Sequence, residues 1–122
     1  MFRSLLLALL LSPALCARDP WTAQDKVLEG AFVVATTMDW GQTLDVNRWA
    51  AGHACRHEDN PILGMHPSRA AVNTYFVGAI LAHALVANQL SGCWRTAWQL
   101  TWIGLEVGTV QRNYQLGIRL NF

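Results

Sequence analysis

The sequence predicts a mainly α-helical protein: a three-helix membrane-associated bundle after a signal peptide, with a short C-terminal amphipathic strand. Three observations lead to this prediction. The chain opens on an export-type segment, its composition is rich in apolar residues, and three later segments have the length and pattern of helices. We therefore divide it into a signal peptide, residues 1–17, and a single helical membrane domain, residues 18–122.

The first seventeen residues have the three parts of a secretory signal peptide. Arg3 supplies the positive start, Leu5–Leu11 the apolar core, and Ala14–Ala17 the small residues of a cleavage site. The core is short for a hydrocarbon layer about 30 Å thick, which favours cleavage after Cys16 or Ala17 over an uncleaved anchor helix. Attachment of a lipid to Cys16 is a further alternative.

The composition favours a membrane or a partner surface over open solvent. Apolar residues make up 52% of the chain and charged residues 14%, against about 25% charged residues in a typical soluble domain. The net charge of +1, with no basic run, carries no indication of nucleic-acid binding. The expected partners are membrane lipid and either a membrane protein or a second copy of the chain.

The first predicted helix runs from Thr22 to Asn47. Asp19-Pro20 supplies an N-cap acceptor followed by proline, which suits a helix start. Thr22 and Asp25 have the spacing of a capping box, although Glu or Gln is usual at the last position. Its central part, residues 30–44, is long enough to enter a bilayer.

The second predicted helix, Ala70–Leu90, is the best membrane span in the chain. It carries no formal charge over about twenty residues, the length that a spanning helix needs. Thr74, Gly78 and Ala82 form a ridge of small residues that suits close helix packing in lipid. A loop from Trp49 to Arg69 precedes this helix.

The third predicted helix runs from Cys93 to about Asn113. Trp94, Trp98 and Trp102 recur every four residues on one side of it, and either a membrane interface or a packed core explains such a stripe. With the N-terminus exported, three spans place the long loop and the C-terminus inside. The arginines of these two segments agree with that orientation, which makes the bacterial inner membrane the expected location.

The C-terminal segment Tyr114–Phe122 alternates strictly between apolar and polar residues and ends in Phe. This pattern resembles the last strand of an outer-membrane β-barrel, but about one hundred residues cannot supply eight strands of about ten residues each. We therefore expect a lone amphipathic strand that docks on a sheet edge or helps to form an oligomer. An alternative location in the periplasm or at the outer membrane follows from it, in which Cys55 and Cys93 would form a disulfide.

Two groups of residues are candidates for chemistry. Alternation places His53, Cys55 and His57 on one side of an extended segment, where they could bind zinc or copper, although an ordinary polar loop explains them as well. One polar face of the first predicted helix begins at Thr36 and contains Asp39, and a polar stripe of the third, from Gln99 to Asn113, contains Glu106. Asp39, His83 and Glu106 thus each lie within a predicted helix. They could meet at the centre of the bundle, bind a proton or a metal and act in acid–base or hydrolytic chemistry, or instead form a structural network that fixes helix register.

Two short motifs carry a resemblance. Thr36–Thr43 contains Asp39 and Thr43 in the first helix, and Glu58-Asp59-Asn60-Pro61 precedes the second. Together they resemble small bacterial multi-pass membrane proteins, grouped as domains of unknown function, that have an Asp/Thr first helix and an E-x-N-P loop. The resemblance implies a helical membrane architecture and a structural role for Thr43, Glu58, Asn60 and Pro61. It implies no activity.

The leading functional prediction is a small helical integral membrane protein of the bacterial envelope with an accessory or interaction role. The sequence contains no recognisable catalytic or cofactor motif, which favours a non-enzymatic protein. The first alternative is a metal-binding or hydrolytic module that uses the Asp, His and Glu residues within the helices. The second is a periplasmic or outer-membrane-associated protein with a C-terminus like a β-barrel assembly signal.

Overall fold

A computed structural model describes residues 19–50, 60–64, 66–120 and 122, with the side chains of residues 47–50 left out. It contains three α-helices: α1 (Ala23–Ala50), α2 (Arg69–Gln89) and α3 (Gly92–Gln115). The three predicted helices are confirmed, with ends that differ from the predictions by one to three residues. The predicted signal peptide and the segment 51–59 lie outside the described residues.

Each of the first two helices begins at a side-chain cap. The Thr22 N–H donates to the Asp25 carboxylate at 2.9 Å, and the Asp25 N–H donates to the Thr22 hydroxyl at 3.1 Å. This is the reciprocal capping box that the sequence predicts, with Asp in the place of Glu. At α2, the Ser68 hydroxyl accepts from the Ala71 N–H at 3.1 Å. These bonds satisfy N–H groups that have no partner inside the helix.

Tertiary hydrogen bonds fix the helix directions. Trp21, before α1, donates to Asn88 near the end of α2, and Trp40, late in α1, donates to Asn73 near the start of α2. Since the order reverses, α1 and α2 are antiparallel. A turn at Leu90 and Ser91 then joins α2 to α3, so that α3 runs parallel to α1. The contact between α1 and α3 is the most extensive in the bundle.

The prediction of a C-terminal strand is wrong. Helix α3 continues through Tyr114 and Gln115, and Gly117 then ends it with a φ of 81°, the left-handed conformation that glycine readily adopts. A strand needs a neighbouring strand to satisfy its backbone groups, and the described part of the chain contains none. The Arg119 N–H instead donates to the Asp45 carboxylate at 3.1 Å.

The end of the chain lies against α1. Ile118 is buried, and the ring of Phe122 lies over Gly41, where a Cβ would come within 2.8 Å of the ring Cζ. The Phe122 ring can therefore approach α1 this closely only because Gly41 has no side chain. The alternation therefore does not mark a buried face, because Ile118 is buried whereas Leu116, Leu120 and most of Phe122 are exposed.

Polar side chains fill much of the bundle interior. A small apolar cluster of Leu44, Val72 and Phe76, with Trp40 and Tyr75 against it, marks one end. The buried polar and charged side chains elsewhere are Asp25, Thr36, Gln42, Thr43, Asp45, His83, Arg95 and Gln99. A soluble bundle of this size buries mostly apolar residues, so the interior is unusually polar.

Apolar side chains cover much of the outer surface. The large exposed ones on α2 and α3 include Val77, Leu81, Leu85, Trp94, Leu100, Trp102, Leu105 and Val107. Helix α2 is long and apolar enough to cross a membrane: over an 18-residue window its mean hydropathy is 1.6, and only 22% of that window is buried. The small-residue ridge of Thr74, Gly78 and Ala82 also faces outward.

Candidate functional site

Arg95 is the hub of a polar network at one end of the bundle. Its side chain is 1% exposed. Its Nη1 donates to the Asp25 carboxylate at 3.0 Å and its Nη2 to the Asp19 carbonyl at 2.9 Å. Its Nε donates to the carbonyls of Ala87 and Leu90, both at 3.0 Å. Both carbonyls lie at the end of α2, so one guanidinium from α3 joins α1 to the C-terminus of α2.

The Asp25 carboxylate is held in its ionised form. The hydrogen bond from the Thr22 N–H lowers its pKa below the ordinary value; burial opposes this effect, and the Thr22 side chain and Arg95 lower the pKa further. Asp25 therefore serves two purposes, because it caps α1 and neutralises the buried Arg95.

The pH dependence of stability tests this assignment. Since the pKa of Asp25 is lowered in the folded protein, its contribution is present above the unfolded value, about 3.9, and is lost as pH falls through the folded pKa. We expect the Asp25→Asn variant to be less stable than the parent at neutral pH, and the difference in unfolding free energy to shrink below about pH 4. Unfolding by SDS in mixed micelles, followed by circular dichroism, measures this difference; a difference that stays constant with pH would contradict the assignment.

A second carboxylate, Glu29, lies one helical turn after Asp25 and binds side chains from both other helices. His83 Nδ1 of α2 lies 2.9 Å from Glu29 Oε1. Gln99 Nε2 of α3 donates to Glu29 Oε2 at 3.0 Å and also to the Asp25 carbonyl at 3.0 Å. Each Glu29 oxygen thus lies within hydrogen-bond distance of one side chain, and all three helices meet at this carboxylate.

The imidazole of His83 is enclosed between aromatic rings. His83 is 4% exposed, its ring stacks on Phe32 with centroids 3.6 Å apart, and Trp98 lies at 5.4 Å. The Trp98 Nε1 donates to the His83 carbonyl at 3.4 Å. With Nδ1 directed to Glu29, the other ring nitrogen, Nε2, is buried and has no hydrogen-bond partner.

A separate amide network joins α1 and α3 at the other end of the bundle. The Asn113 side-chain amide donates to the Asp39 carboxylate at 3.2 Å and to Gln42 Oε1 at 3.0 Å. Gln42 Nε2 in turn donates to the Val110 carbonyl at 3.1 Å. The predicted polar faces of the first and third helices therefore do face each other.

The three candidates for acid–base chemistry lie at different heights in the bundle. His83 pairs with Glu29, whereas Asp39 binds Asn113. Asp39 lies about 15 Å beyond Glu29 along the axis of α1. Glu106 is half-buried on α3 and lies about 10 Å beyond Gln99. His83 therefore pairs with Glu29 and not with Asp39 or Glu106. The centre of the polar site is the contact of Glu29 with His83 and Gln99.

The remaining predicted residues divide between the described and undescribed parts of the chain. Thr43 is buried in α1. Asn60 and Pro61 form a turn, in which the Ile62 N–H donates to Asn60 Oδ1 at 3.0 Å. The possible metal ligands His53, Cys55 and His57, together with Glu58, lie outside the described residues. Within the described ranges, no group of three or more His, Cys, Asp or Glu side chains could hold a metal.

Two residues of the site, Glu29 and Arg95, were missed by sequence reasoning. The polar face assigned to the first helix begins at Thr36, but extending it toward the N-terminus by steps of seven and four residues reaches Glu29 and Asp25. Arg95 is not singled out by the sequence, because it follows the turn that Ser91 and Gly92 indicate and lies in the first turn of the third predicted helix. Its capping role could have been inferred from its position, because a cation a few residues after the C-terminus of a helix can bind the last carbonyls of that helix.

An apolar groove opens on the outer side of α3. It has a volume of about 730 Å³, and its lining residues are Leu90, Trp94, Ala97, Trp98, Thr101, Trp102 and Leu105. The predicted tryptophan stripe is therefore divided: Trp94 and Trp102 are exposed, whereas Trp98 is half-buried and packs on His83. Trp98 thus separates the groove from the buried imidazole.

Comparison with known proteins yields no relative. No protein-family model, curated protein or solved structure matches the chain.

Proposed function

We propose that the chain is a small helical integral membrane protein of the bacterial envelope. The observation that carries this proposal is the distribution of polarity, with charged and amide side chains inside and apolar side chains on the outer faces of α2 and α3. In water this arrangement would expose a large apolar surface. In lipid it is the expected one, because ionisable groups face the bundle interior and pair there.

The burial of α2 supports the same proposal. The core helix of a soluble protein is also long and apolar, but it is mostly buried. Only 22% of the apolar window of α2 is buried, so most of its side chains are available to contact lipid. The outward ridge of Thr74, Gly78 and Ala82 would let a neighbouring helix approach closely.

The proposed role is accessory: the protein holds a partner or a second copy of itself within the membrane. The interior networks support this role because they cross-link all three helices through Arg95, Glu29 and Asn113. Such networks fix the register of the three helices. The apolar outer faces of α2 and α3 then remain available to bind the partner or the second copy. The inner membrane is the proposed location, with the N-terminus of α1 and the α2–α3 turn outside.

Two native cysteines provide the test of this topology. Cys93 is free and exposed at the start of α3, beside the proposed outer turn, and Cys55 belongs to the long connection on the proposed inner side. We expect a membrane-impermeant maleimide to label the Cys55→Ser variant, which retains Cys93, in intact spheroplasts. The Cys93→Ser variant, which retains Cys55, should be labelled only after lysis.

The matched pair makes the outcome decisive, since each variant is the control for the other. Equal labelling of both variants in intact spheroplasts would contradict the three-span topology. Recovery of either variant in the soluble fraction would contradict membrane integration altogether.

A further inference from the structure

The ionisable groups at one end of the bundle do not balance in charge. Asp25 and Arg95 form a buried ion pair at 3.0 Å and neutralise each other. Glu29, whose side chain is 14% exposed, then contributes a negative charge, and within the described part of the chain the side chain paired with it is His83, at 2.9 Å. A buried charge without compensation is costly. The site therefore reaches neutrality only when the Glu29–His83 pair holds one additional proton.

The geometry of His83 leaves one position for that proton. An ionised carboxylate only accepts hydrogen bonds, so the nitrogen facing Glu29, Nδ1, carries a hydrogen. In neutral imidazole the other nitrogen, Nε2, then has a free lone pair. This atom is buried without a partner, as is Oε1 of Gln99, the amide that binds the same Glu29 carboxylate. Two orphaned acceptors thus belong to one network.

We propose that Glu29 and His83 form a proton-binding site within the bundle. The lone pair of His83 Nε2 takes a proton from hydronium, an N–H bond forms, and water is released. Nδ1–H stays hydrogen-bonded to Glu29, whose negative charge balances the imidazolium. Among the described residues, the ionisable side chain in contact with His83 is Glu29. Asp25 lies one turn earlier on α1 and is paired with Arg95 of α3. The α3 side chains nearest the pair, Trp98 and Gln99, are uncharged.

Trp98 controls access to this site. Its ring packs on His83 and also lines the outer groove, so movement of this one side chain would connect the imidazole to the groove. Phe32 covers the imidazole with a centroid separation of 3.6 Å. The rate of proton exchange at His83 would therefore depend on movement of the Trp98 side chain, which separates the imidazole from the groove.

Nitrogen-15 NMR of the histidine-labelled protein in detergent micelles tests the site directly. In the parent protein we expect the neutral His83 ring to carry its hydrogen on Nδ1, and Nε2 to gain one on acidification. At neutral pH we expect the Glu29→Gln variant to lower the doubly protonated fraction of His83 by about tenfold, because it removes the opposite charge. Asp39→Asn, which removes a carboxylate from the other network, is the matched control and should leave that fraction unchanged.

The parent spectrum decides the question even if Glu29→Gln does not fold. A neutral His83 with its hydrogen on Nε2 would overturn the proposal, and so would a charged fraction that Glu29→Gln and Asp39→Asn alter equally. Exposed His66 serves as the internal reference. Since the measurement is made in micelles, it succeeds or fails independently of the topology proposed above.

Acylation by diethylpyrocarbonate tests the role of Trp98, because the reagent attacks an unprotonated imidazole nitrogen. We expect Trp98→Ala to raise the rate of His83 modification by about tenfold, as removal of the ring opens the path from the groove. Trp94→Ala removes an exposed indole from the same groove and should leave the rate unchanged. Equal rates in both variants would overturn the access role.

Discussion

Substitution of Arg95 by alanine is expected to lower the free energy of unfolding by about 3–5 kcal/mol, the usual cost of removing one partner from a buried ion pair. The change leaves the Asp25 carboxylate buried without its cation. It also removes a side-chain donor to the carbonyls of Ala87 and Leu90 at the end of α2. Unfolding by SDS in mixed micelles, followed by circular dichroism, measures this loss.

Arg119 is the matched control for Arg95. It is exposed, its guanidinium lies 5.4 Å from the Tyr114 ring centroid, and it donates to the Tyr114 carbonyl at 3.1 Å. Exposed interactions of this kind contribute about 0–1 kcal/mol, so Arg119→Ala should have a small effect. Similar losses for the two variants would show that Arg95 does not hold the helices together.

Substitution of Leu81 by arginine is expected to reduce membrane integration strongly. Leu81 is 60% exposed near the middle of α2. If that face contacts lipid, arginine at this depth costs about 2.5–3.5 kcal/mol for insertion. A soluble protein would respond in the opposite way, because an exposed leucine is easily replaced by a charged residue in water. The fraction of protein retained in alkaline-washed membranes measures the effect.

Ile62→Arg is the control for Leu81→Arg. Ile62 is 76% exposed but lies in the turn before α2, outside the apolar helix. The same charge should have little effect there, within about 0.5 kcal/mol. Unchanged integration of both variants would show that the outer face of α2 does not contact lipid.

The helices could be predicted from the sequence because their signals are local. Thr22 and Asp25 cap α1 through bonds that span three residues, and Ser68 caps α2 in the same way. The C-terminal strand was mispredicted because alternation alone does not supply a partner strand. The burial of Ile118 and the contact of the Phe122 ring with Gly41 are set by tertiary structure, which alternation does not reveal.

The site could be predicted only in part. Periodicity correctly placed the polar faces of α1 and α3 against each other, and His83 inside the bundle. The pairing of His83 with Glu29 depends on the relative axial position of the antiparallel helices α1 and α2. No local sequence pattern determines that position. The burial of Arg95 likewise depends on the end of α2 lying beside the start of α1.

The central claim, a polar bundle with a lipid-facing exterior, is tested most directly by alkaline carbonate extraction of separated inner and outer membranes from cells that express the full chain. Carbonate releases peripheral proteins and leaves integral ones in the bilayer. We predict that the protein stays in the inner-membrane pellet. Release into the supernatant, or recovery in the outer-membrane fraction, would contradict the claim and would require another partner to cover the exposed apolar faces of α2 and α3.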